Sequence, residues 1–286
     1  MEAAMLQYIH HLTINVSDLP RAIARYRAYG LVCQRHTSHD AWLIAPNGAI
    51  HLQVPLQPTA YPRTIFDPGM SHCCIQTPDI EALLTHVQRT DAVPRSQPVD
   101  LGTGHRYVYL DDAEGVVTEC EGVPYAPPDT APWLAHVALA SFDIGRLSAF
   151  YADVTGGTVR TSPLLADNQG IDTIAQVPGI RAHAAWVRGA NMTIECWQFS
   201  APQPQQLPAR QSTDLGYTGL TFCTPDQDAA VAHLIACGAR TDDATTWYDP
   251  DGNRFDLITE NSPLVASLGP PAEQHIVQRI EALWHR

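Results

Sequence analysis

Histidines and carboxylates recur at matching places along the chain, and together they form the pattern of a metal site. Three of four similar strand segments begin with a histidine, and the strands that close these segments carry a histidine or a carboxylate. The opening positions are His11, His72, His136 and Gly219, and the closing positions are His51, Glu119, Glu195 and Asp256. Two imidazoles with one or two carboxylates suit Fe(II), Mn(II), Zn(II), Ni(II) or Co(II). The sequence therefore predicts a metal centre made of strand residues.

A fourfold internal repeat is what positions these residues. Each repeat opens with an alternating strand and a turn that ends in aspartate: HLTINVSD (11–18), HCCIQTPD (72–79), HVALASFD (136–143) and GLTFCTPD (219–226). Apolar residues spaced three and four apart follow, which predicts an amphipathic helix whose start is capped by the turn residues. A glycine turn and a last strand then close each repeat. The pattern predicts an α+β fold of four tandem β-α-β-β-β units.

Proline-rich segments separate the units. They cover residues 55–62, 123–132 and 201–209, and proline disfavours both helix and sheet. We take the middle segment as the boundary between two domains, which suits a chain of 286 residues. The last segment, 263–286, is predicted to contain a terminal helix that docks on the body of the protein or on a second copy.

The charge composition excludes several classes of protein. The chain has 17 cationic residues, all of them arginine, against 30 acidic ones, which gives a net charge of −13. Without lysine there is no Schiff-base lysine, P-loop lysine or lysine general base. An acidic chain without a basic run argues against a nucleic-acid or membrane-surface partner. We expect neither a membrane span nor a secretory signal, because no apolar run has the required length and the N-terminus starts acidic.

The cysteines do not form a recognisable framework. There are seven, an odd number, with one adjacent pair and no C-x-x-C motif. This argues against both a disulfide scaffold and a cysteine zinc site. We expect buried, reduced thiols in a cytoplasmic protein.

Three motifs in particular carry a family resemblance. The segments HHLTINVSD, YLDDAEGVVTE and WYDPDGNRFDL resemble the opening and closing strands of the vicinal oxygen chelate superfamily, and the likeness extends over residues 9–259. That superfamily includes glyoxalase I, bleomycin- and fosfomycin-resistance proteins, and extradiol ring-cleaving dioxygenases. The resemblance implies two domains, each a pair of half-barrels. The expected ranges are 1–124 for the first domain (units 7–55 and 69–122), 133–262 for the second (units 133–199 and 214–260), and 263–286 for the C-terminal helix.

The way the units pair decides which ligands meet. Pairing within each half joins units one and two, and so brings together His11, His72 and Glu119. Such a 2-His-1-carboxylate set leaves positions on the metal open for a bidentate substrate and for O₂. On this pairing the first domain is catalytic. The second is not, because Gly219 stands where it needs a histidine.

Resemblance to the extradiol dioxygenases implies roles for three further residues of the first half. His51 follows an Asn-Gly turn where those enzymes carry a catalytic acid–base histidine, and Tyr109 corresponds to a tyrosine that faces the substrate. His105, in GTGH, is similar to the histidine that opens their signature. Two features depart from that signature: Ala113 replaces its proline, and the spacing between His105 and Tyr109 is short.

Crossed pairing is the alternative. Joining unit two to unit three would bring together four ligands, His72, Glu119, His136 and Glu195. This is the set that glyoxalase I and related epimerases carry. It would leave His11 and His51 with Gly219 and Asp256, which is a poor site.

The resemblance gives three functional hypotheses. The first is an extradiol-type dioxygenase of aromatic catabolism, which cleaves a catechol-like substrate with Fe(II) and O₂; Mn(II), Zn(II) or Ni(II) are the alternative metals. The second is a glyoxalase-type isomerase, lyase or epimerase, and the third is a non-enzymatic binding protein of the bleomycin-resistance type. The expected partners are a small aromatic or vicinal-dioxygen substrate and O₂, with no nucleic acid and no membrane. A homo-oligomer is compatible with the sequence.

Overall fold

A computed structural model describes residues 5–60, 63–242 and 246–284, and it shows the four units in the predicted order. Unit one consists of β1 (Tyr8–Asn15), α1 (Leu19–Ala28), β2 (Val32–His36), β3 (Asp40–Ala45) and β4 (Gly48–Gln53). Unit two consists of β5 (Gly69–Thr77), α2 (Ile80–Val87), β6 (Val93–Pro94), β7 (Val99–Asp100), β8 (Arg106–Asp111) and β9 (Val117–Gly122). The predicted α+β class is confirmed.

The second half repeats this order with one added helix. Unit three consists of β10 (Trp133–Ala140), α3 (Ile144–Thr155), β11 (Thr158–Thr161), α4 (Gln169–Ala175), β12 (Arg181–Arg188) and β13 (Thr193–Ala201). Unit four consists of β14 (Gly216–Thr224), α5 (Gln227–Ala236), β15 (Arg240–Thr241), β16 (Thr246–Tyr248) and β17 (Arg254–Thr259).

The aspartate that ends each opening turn caps the helix after it, as the sequence predicts. The carboxylates of Asp18, Asp79, Asp143 and Asp226 each accept a hydrogen bond from the backbone N–H three residues later. Each cap satisfies a donor that the first helical turn leaves open. The four helices therefore start at equivalent points, which keeps the repeats in register.

The units pair crosswise, so the prediction that they pair within each half is wrong. One sheet has the order β15-β16-β17-β14-β1-β4-β3-β2 and joins units one and four; the other, β11-β12-β13-β10-β5-β9-β8-β6, joins units two and three. Strand β1 lies antiparallel to β14, and β5 lies antiparallel to β10. The connection 123–132, which we took as a domain boundary, instead links β9 to β10 inside one sheet. It is the shortest of the three connections between units, so it holds units two and three side by side.

Two buried asparagines tie one sheet to the other. The amide of Asn47, in the turn between β3 and β4, donates to the carbonyls of Leu134 and Asn191. In return, the amide of Asn191 donates to the carbonyls of Ile9 and Asn47. Because these amides satisfy backbone groups at both sheets' opening strands, the crossed arrangement leaves few polar groups unpaired at the junction. The largest apolar cluster has members from all four units.

The C-terminal segment forms two short helices where one was predicted. They are α6 (Pro263–Leu268) and α7 (Ile276–Trp284). Helix α7 docks on the body of the protein through Ile276, Val277 and Ile280, which pack on Trp133 and the 123–126 turn. In the described ranges, none of the helices has the length and apolar composition that crossing a membrane requires.

Candidate metal centre

Units two and three converge on four buried ligating side chains. The central strands β5 and β10 are antiparallel neighbours, and each has its own closing strand, β9 or β13, in parallel beside it. Because side chains alternate along a strand, one set from each of the four strands points to the concave side of the sheet. The side chains that meet there are those of His72, Glu119, His136 and Glu195. All four residues are at most 8 % exposed.

The four ligand atoms lie at the separations that a single ion requires. The Nε2 atom of His72 is 3.3 Å from an Oε atom of Glu119 and 3.7 Å from one of Glu195. The Nε2 atom of His136 is 2.9 Å and 3.4 Å from the same two carboxylate oxygens. Metal bonds of about 2.1 Å place neighbouring ligand atoms roughly 3–3.5 Å apart. The geometry therefore fits a divalent cation.

The histidine nitrogens supply an independent test of that fit. The Nε2 atoms of His72 and His136 are buried, and they lie against the two carboxylates without the geometry of a hydrogen bond to any described residue. Leaving two buried imidazole nitrogens unsatisfied is costly unless something else binds them. Since both nitrogens point at the same pair of carboxylates, a metal ion accounts for their orientation, and the residues present fit one.

Neighbouring groups hold the ligands in place. Two indole N–H groups, from Trp186 and Trp197, donate to the two oxygens of Glu195 at 2.7 Å each. The Nδ1 atom of His72 lies 3.2 Å from the hydroxyl of Ser71, on the side away from the cluster. Such contacts fix the orientation of metal ligands and strengthen metal binding. Glu119 differs from Glu195, because among the described residues its carboxylate has the two histidines as its polar partners.

The metal-free cluster is a coupled set of charges. Burial by itself raises the pKa of Glu119, but attraction to His136 and His72 outweighs burial and lowers that pKa to about 2. Burial lowers the pKa of His136, yet the carboxylates of Glu195 and Glu119 raise it to about 10. Without metal, His136 therefore carries a proton at neutral pH. A metal ion must displace this proton to bind.

Three of the four cluster residues, Glu119, His136 and Glu195, lie in the wall of a cavity of about 360 Å³. Its other walls are largely apolar or aromatic: Leu101, Tyr107, Tyr109, Leu165, Ile171, Ile174, Trp186, Trp197 and Val277. Helix α4 and helix α7 supply part of this lining, so two elements outside the basic repeat cover the site. A cavity with one polar, ligating side and apolar walls suits a small molecule that carries an apolar group.

A hydrogen-bonded chain of side chains extends from the cluster along the same cavity. Glu121 lies two residues beyond Glu119, on the same face of β9. It accepts from Gln76 at 2.7 Å and lies 2.9 Å from Nδ1 of His105. The other ring nitrogen of His105 is 2.5 Å from the hydroxyl of Tyr125. This chain fixes the ring of His105 at the edge of the cavity.

The predicted triad does not form, because His11 and its presumed partners lie in different sheets. In the sheet of units one and four, Nε2 of His11 is 3.1 Å from the hydroxyl of Thr221. His51 also lies there, stacked on Trp42 with ring centroids 3.9 Å apart. Burial lowers the pKa of His11 well below its usual value and that of His51 to about 4. Of the predicted catalytic residues, Tyr109 and His105 do line the metal cavity, and His51 does not.

Sequence reasoning missed several residues of this site. Glu121 was detectable, because alternation places it on the same face as Glu119. Trp186 and Trp197 carried no such signal. Trp186 reaches Glu195 from the paired position on β12, and Trp197 from two residues along β13. Arg160 also lines the cavity and lies over the ring of Trp186, at 4.8 Å from its centroid.

Comparison with protein families gives two matches that together span most of the chain. Residues 8–120 match the profile described as the Glyoxalase/Bleomycin resistance protein/Dioxygenase superfamily. Residues 136–258 match the profile of a glyoxalase-like domain. No curated protein matches the chain.

Solved structures with the same architecture cover nearly the whole chain. Glyoxalase I from Zea mays aligns with a TM-score of 0.66 and 18% identity, over 91% of this chain and 95% of that one. A valine-to-glutamate variant of the same maize enzyme aligns with a TM-score of 0.70 and 17% identity, over the same shares. A Bacillus subtilis protein described as a candidate dioxygenase aligns with a TM-score of 0.64 and 13% identity, over 96% and 91%. At these identities the likeness concerns the fold.

Proposed function

Because the chain belongs to the vicinal oxygen chelate superfamily, we propose that it is a metal-dependent isomerase, lyase or epimerase of the glyoxalase type. The observation that carries this proposal is the convergence of His72, Glu119, His136 and Glu195 on one point. Their composition, two imidazoles and two carboxylates, is the set that the resemblance associates with glyoxalase I and related epimerases. Extradiol cleavage was predicted from a different set, which included His11 and His51.

A divalent cation held by the four side chains supplies Lewis acidity toward adjacent oxygen atoms of a substrate. Nickel, cobalt, zinc, manganese and iron all accept this donor set. The proposed substrate is a small molecule with two oxygens on neighbouring carbons, such as an α-hydroxycarbonyl compound. The apolar walls, including Leu165 and Ile174, favour an apolar substituent on it.

We assign the proton transfer to Glu119. Glu195 receives an indole N–H on each oxygen, and these two donors fix the orientation of its carboxylate. Glu119 has no such neutral donor among the described residues, so its carboxylate is freer to turn toward a substrate. In the proposed step, Glu119 takes the proton from the carbon that bears the hydroxyl group and returns it to the adjacent carbonyl carbon. The C–H electron pair forms a C=C bond as the carbonyl π pair moves to its oxygen, and the hydroxyl proton passes to that oxygen when the proton is returned to carbon, so the step needs no oxidant.

The surrounding side chains orient the substrate and keep water out. Tyr109 is buried next to His72, with ring centroids 5.1 Å apart, and burial raises the pKa of Tyr109 well above its usual value. It therefore stays protonated and can donate a hydrogen bond to a substrate oxygen. All seven cysteines are free of disulfides, which supports our placing of the enzyme in the reducing cytoplasm.

The test is an exchange assay in deuterated water. Protein loaded with Ni(II), Co(II), Zn(II), Mn(II) or Fe(II) is incubated with α-hydroxycarbonyl compounds that carry apolar substituents. We expect metal-dependent deuterium incorporation and a rearranged product without oxygen uptake. Oxygen uptake with a catechol panel, measured on the Fe(II) form, would instead establish the dioxygenase hypothesis. Ligand binding without turnover by any metal form would establish the binding-protein hypothesis.

A further inference from the structure

A second cavity, separate from the metal centre, lies between units two and four. It has a volume of about 290 Å³ and is bounded by the segment 63–70, the segment 206–212 and the turn between β16 and β17. None of its described lining residues also lines the metal cavity. It is therefore a distinct place at which a small molecule can bind.

Positive charge is concentrated around this cavity although the chain as a whole is acidic. Four of the 17 arginines line it: Arg63, Arg210, Arg240 and Arg254. Among the described lining residues the acidic one is Asp251, which forms an ion pair with Arg146. In a chain with a net charge of −13, this excess of arginines over carboxylates reverses the local sign, even though Arg254 forms an ion pair with Asp256. Such a reversal raises the local concentration of anions.

The backbone is shaped to accept the arginine head groups. Gly69 has a φ of +124°, and a Cβ atom added there would overlap the guanidinium of Arg63. Gly252, in the β16–β17 turn, has a φ of +88°, and a Cβ atom there would lie 3.6 Å from a guanidinium nitrogen of Arg240. Since glycine alone tolerates these conformations easily, the turns bring both arginines close against the main chain.

Further contacts orient the other two arginines. Arg210 donates to the carbonyl of Leu215 at 2.7 Å, and Arg254 lies 3.1 Å from a carboxylate oxygen of Asp256. Neutral hydrogen-bonding groups complete the lining, among them Ser212, Thr218 and Asn253. Guanidinium groups bind phosphate and carboxylate through paired N–H donors, and neighbouring hydroxyls and amides can fill the remaining acceptor positions.

We propose that this cavity is a binding site for a small dianion, either a phosphate or a compact dicarboxylate. The two ligands share a doubly charged, oxygen-rich head group that four arginines can neutralise. The site is independent of the metal centre, since the two cavities share no described lining residue. It gives an acidic protein a specific place to recognise an anion.

Calorimetric titration with inorganic phosphate, and separately with succinate, tests the site at constant ionic strength. The wild type should show saturable binding of one equivalent of anion, with the same affinity in metal-loaded and chelator-treated protein. The better of the two ligands identifies the head group. The double variant Arg240→Gln, Arg254→Gln should bind at least about tenfold more weakly, because it loses two of the four cations. The single variant Arg240→Gln should give an intermediate loss.

The matched control is Arg21→Gln with Arg279→Gln. It removes the same charge from two arginines in exposed ion pairs away from the cavity. We expect its affinity to stay within twofold of the wild type. Circular dichroism and metal content verify the fold of every variant. The proposal is overturned if neither anion saturates, if control and cavity variants weaken binding equally, or if binding disappears when the metal is removed.

Discussion

The sheet of units two and three and the sheet of units one and four place corresponding residues at corresponding registers. Cys74 lies between Glu119 and His136 in one sheet, just as Thr13 lies between His51 and Gly219 in the other. The counterparts are therefore His72 and His11, Glu119 and His51, His136 and Gly219, and Glu195 and Asp256. Among the described residues, potential metal-binding clusters occur in the first sheet alone.

The difference lies in side chains, since the backbone positions are shared. In units one and four Gly219 offers no ligand, and Asp256 lies against Arg254. Trp42, which occupies the register position of Tyr109, is buried and stacks on His51. One sheet is thus packed without a ligand cluster among its described residues while the other holds the candidate metal centre, so the same fold can be used in two different ways.

The largest expected effect is the loss of turnover when Glu119 is replaced, compared with replacement of its counterpart His51. Replacing Glu119→Gln keeps an oxygen that can bind metal but removes the proposed base, so turnover in the exchange assay should fall by about 10²–10⁴. His51→Gln should leave turnover within about twofold. Metal content, measured on both variants, separates loss of the base from loss of the ion. Equal losses of turnover in the two variants would contradict the assignment of the proton transfer to Glu119.

Trp42→Ala tests the packed sheet. Trp42 is 3 % exposed, and its removal should lower the free energy of unfolding by about 3–5 kcal/mol through the cavity it leaves. Chemical denaturation measures this change. The metal content of the folded protein should stay at the wild-type level, because the packed sheet supplies no ligand. Metal loss from a folded Trp42→Ala protein would show that the two sheets depend on each other.

Trp186→Phe tests the support of the metal ligands. The change removes one N–H donor to Glu195 and keeps a large ring, so metal affinity should fall by about 10–100-fold with little loss of stability. Competition with a chelator of known affinity measures it. Trp42→Phe is the matched substitution in the other sheet and should leave metal affinity unchanged.

The two sheets should respond to pH in opposite directions in chelator-treated protein. The pKa of His136 is raised to about 10, so its stabilisation is complete below about pH 6.5 and is lost as the pH rises toward 10. The pKa of His51 is lowered to about 4, so its contribution is present above about pH 6.5 and is lost as the pH falls toward 4. Each titration contributes a slope of up to about 1.4 kcal/mol per pH unit.

Two variants assign these slopes. In denaturation curves recorded from pH 4 to pH 10, His136→Gln should flatten the alkaline side. His51→Gln should reduce the slope on the acidic side, where His10 and His11 supply the rest because burial lowers their pKa values as well. Wild-type slopes that persist in both variants would contradict the pKa shifts of these two histidines.

Much of this organisation can be predicted from the sequence, because each repeat is recognised from residues that are close together in the chain. The four units, their capping aspartates and the strand positions of His72, Glu119, His136 and Glu195 depend on short-range patterns. The pairing of units does not, since each opening strand can pair with any of its equivalents without changing the local pattern. Long-range contacts decide it, such as the junction of Asn47 with Asn191. The predicted triad of His11, His72 and Glu119 is wrong for that reason. The alternative, crossed pairing, contained the four residues that the structure brings together.

Metal content per chain, measured by elemental analysis on anaerobically purified His136→Ala and His11→Ala, tests the central claim most directly. The two changes are chemically identical and occupy the opening strands of units that lie in different sheets. The wild type and His11→Ala should each hold about one divalent ion, and His136→Ala should hold none. If His136→Ala retains the ion and His11→Ala loses it, the metal centre does not lie between units two and three.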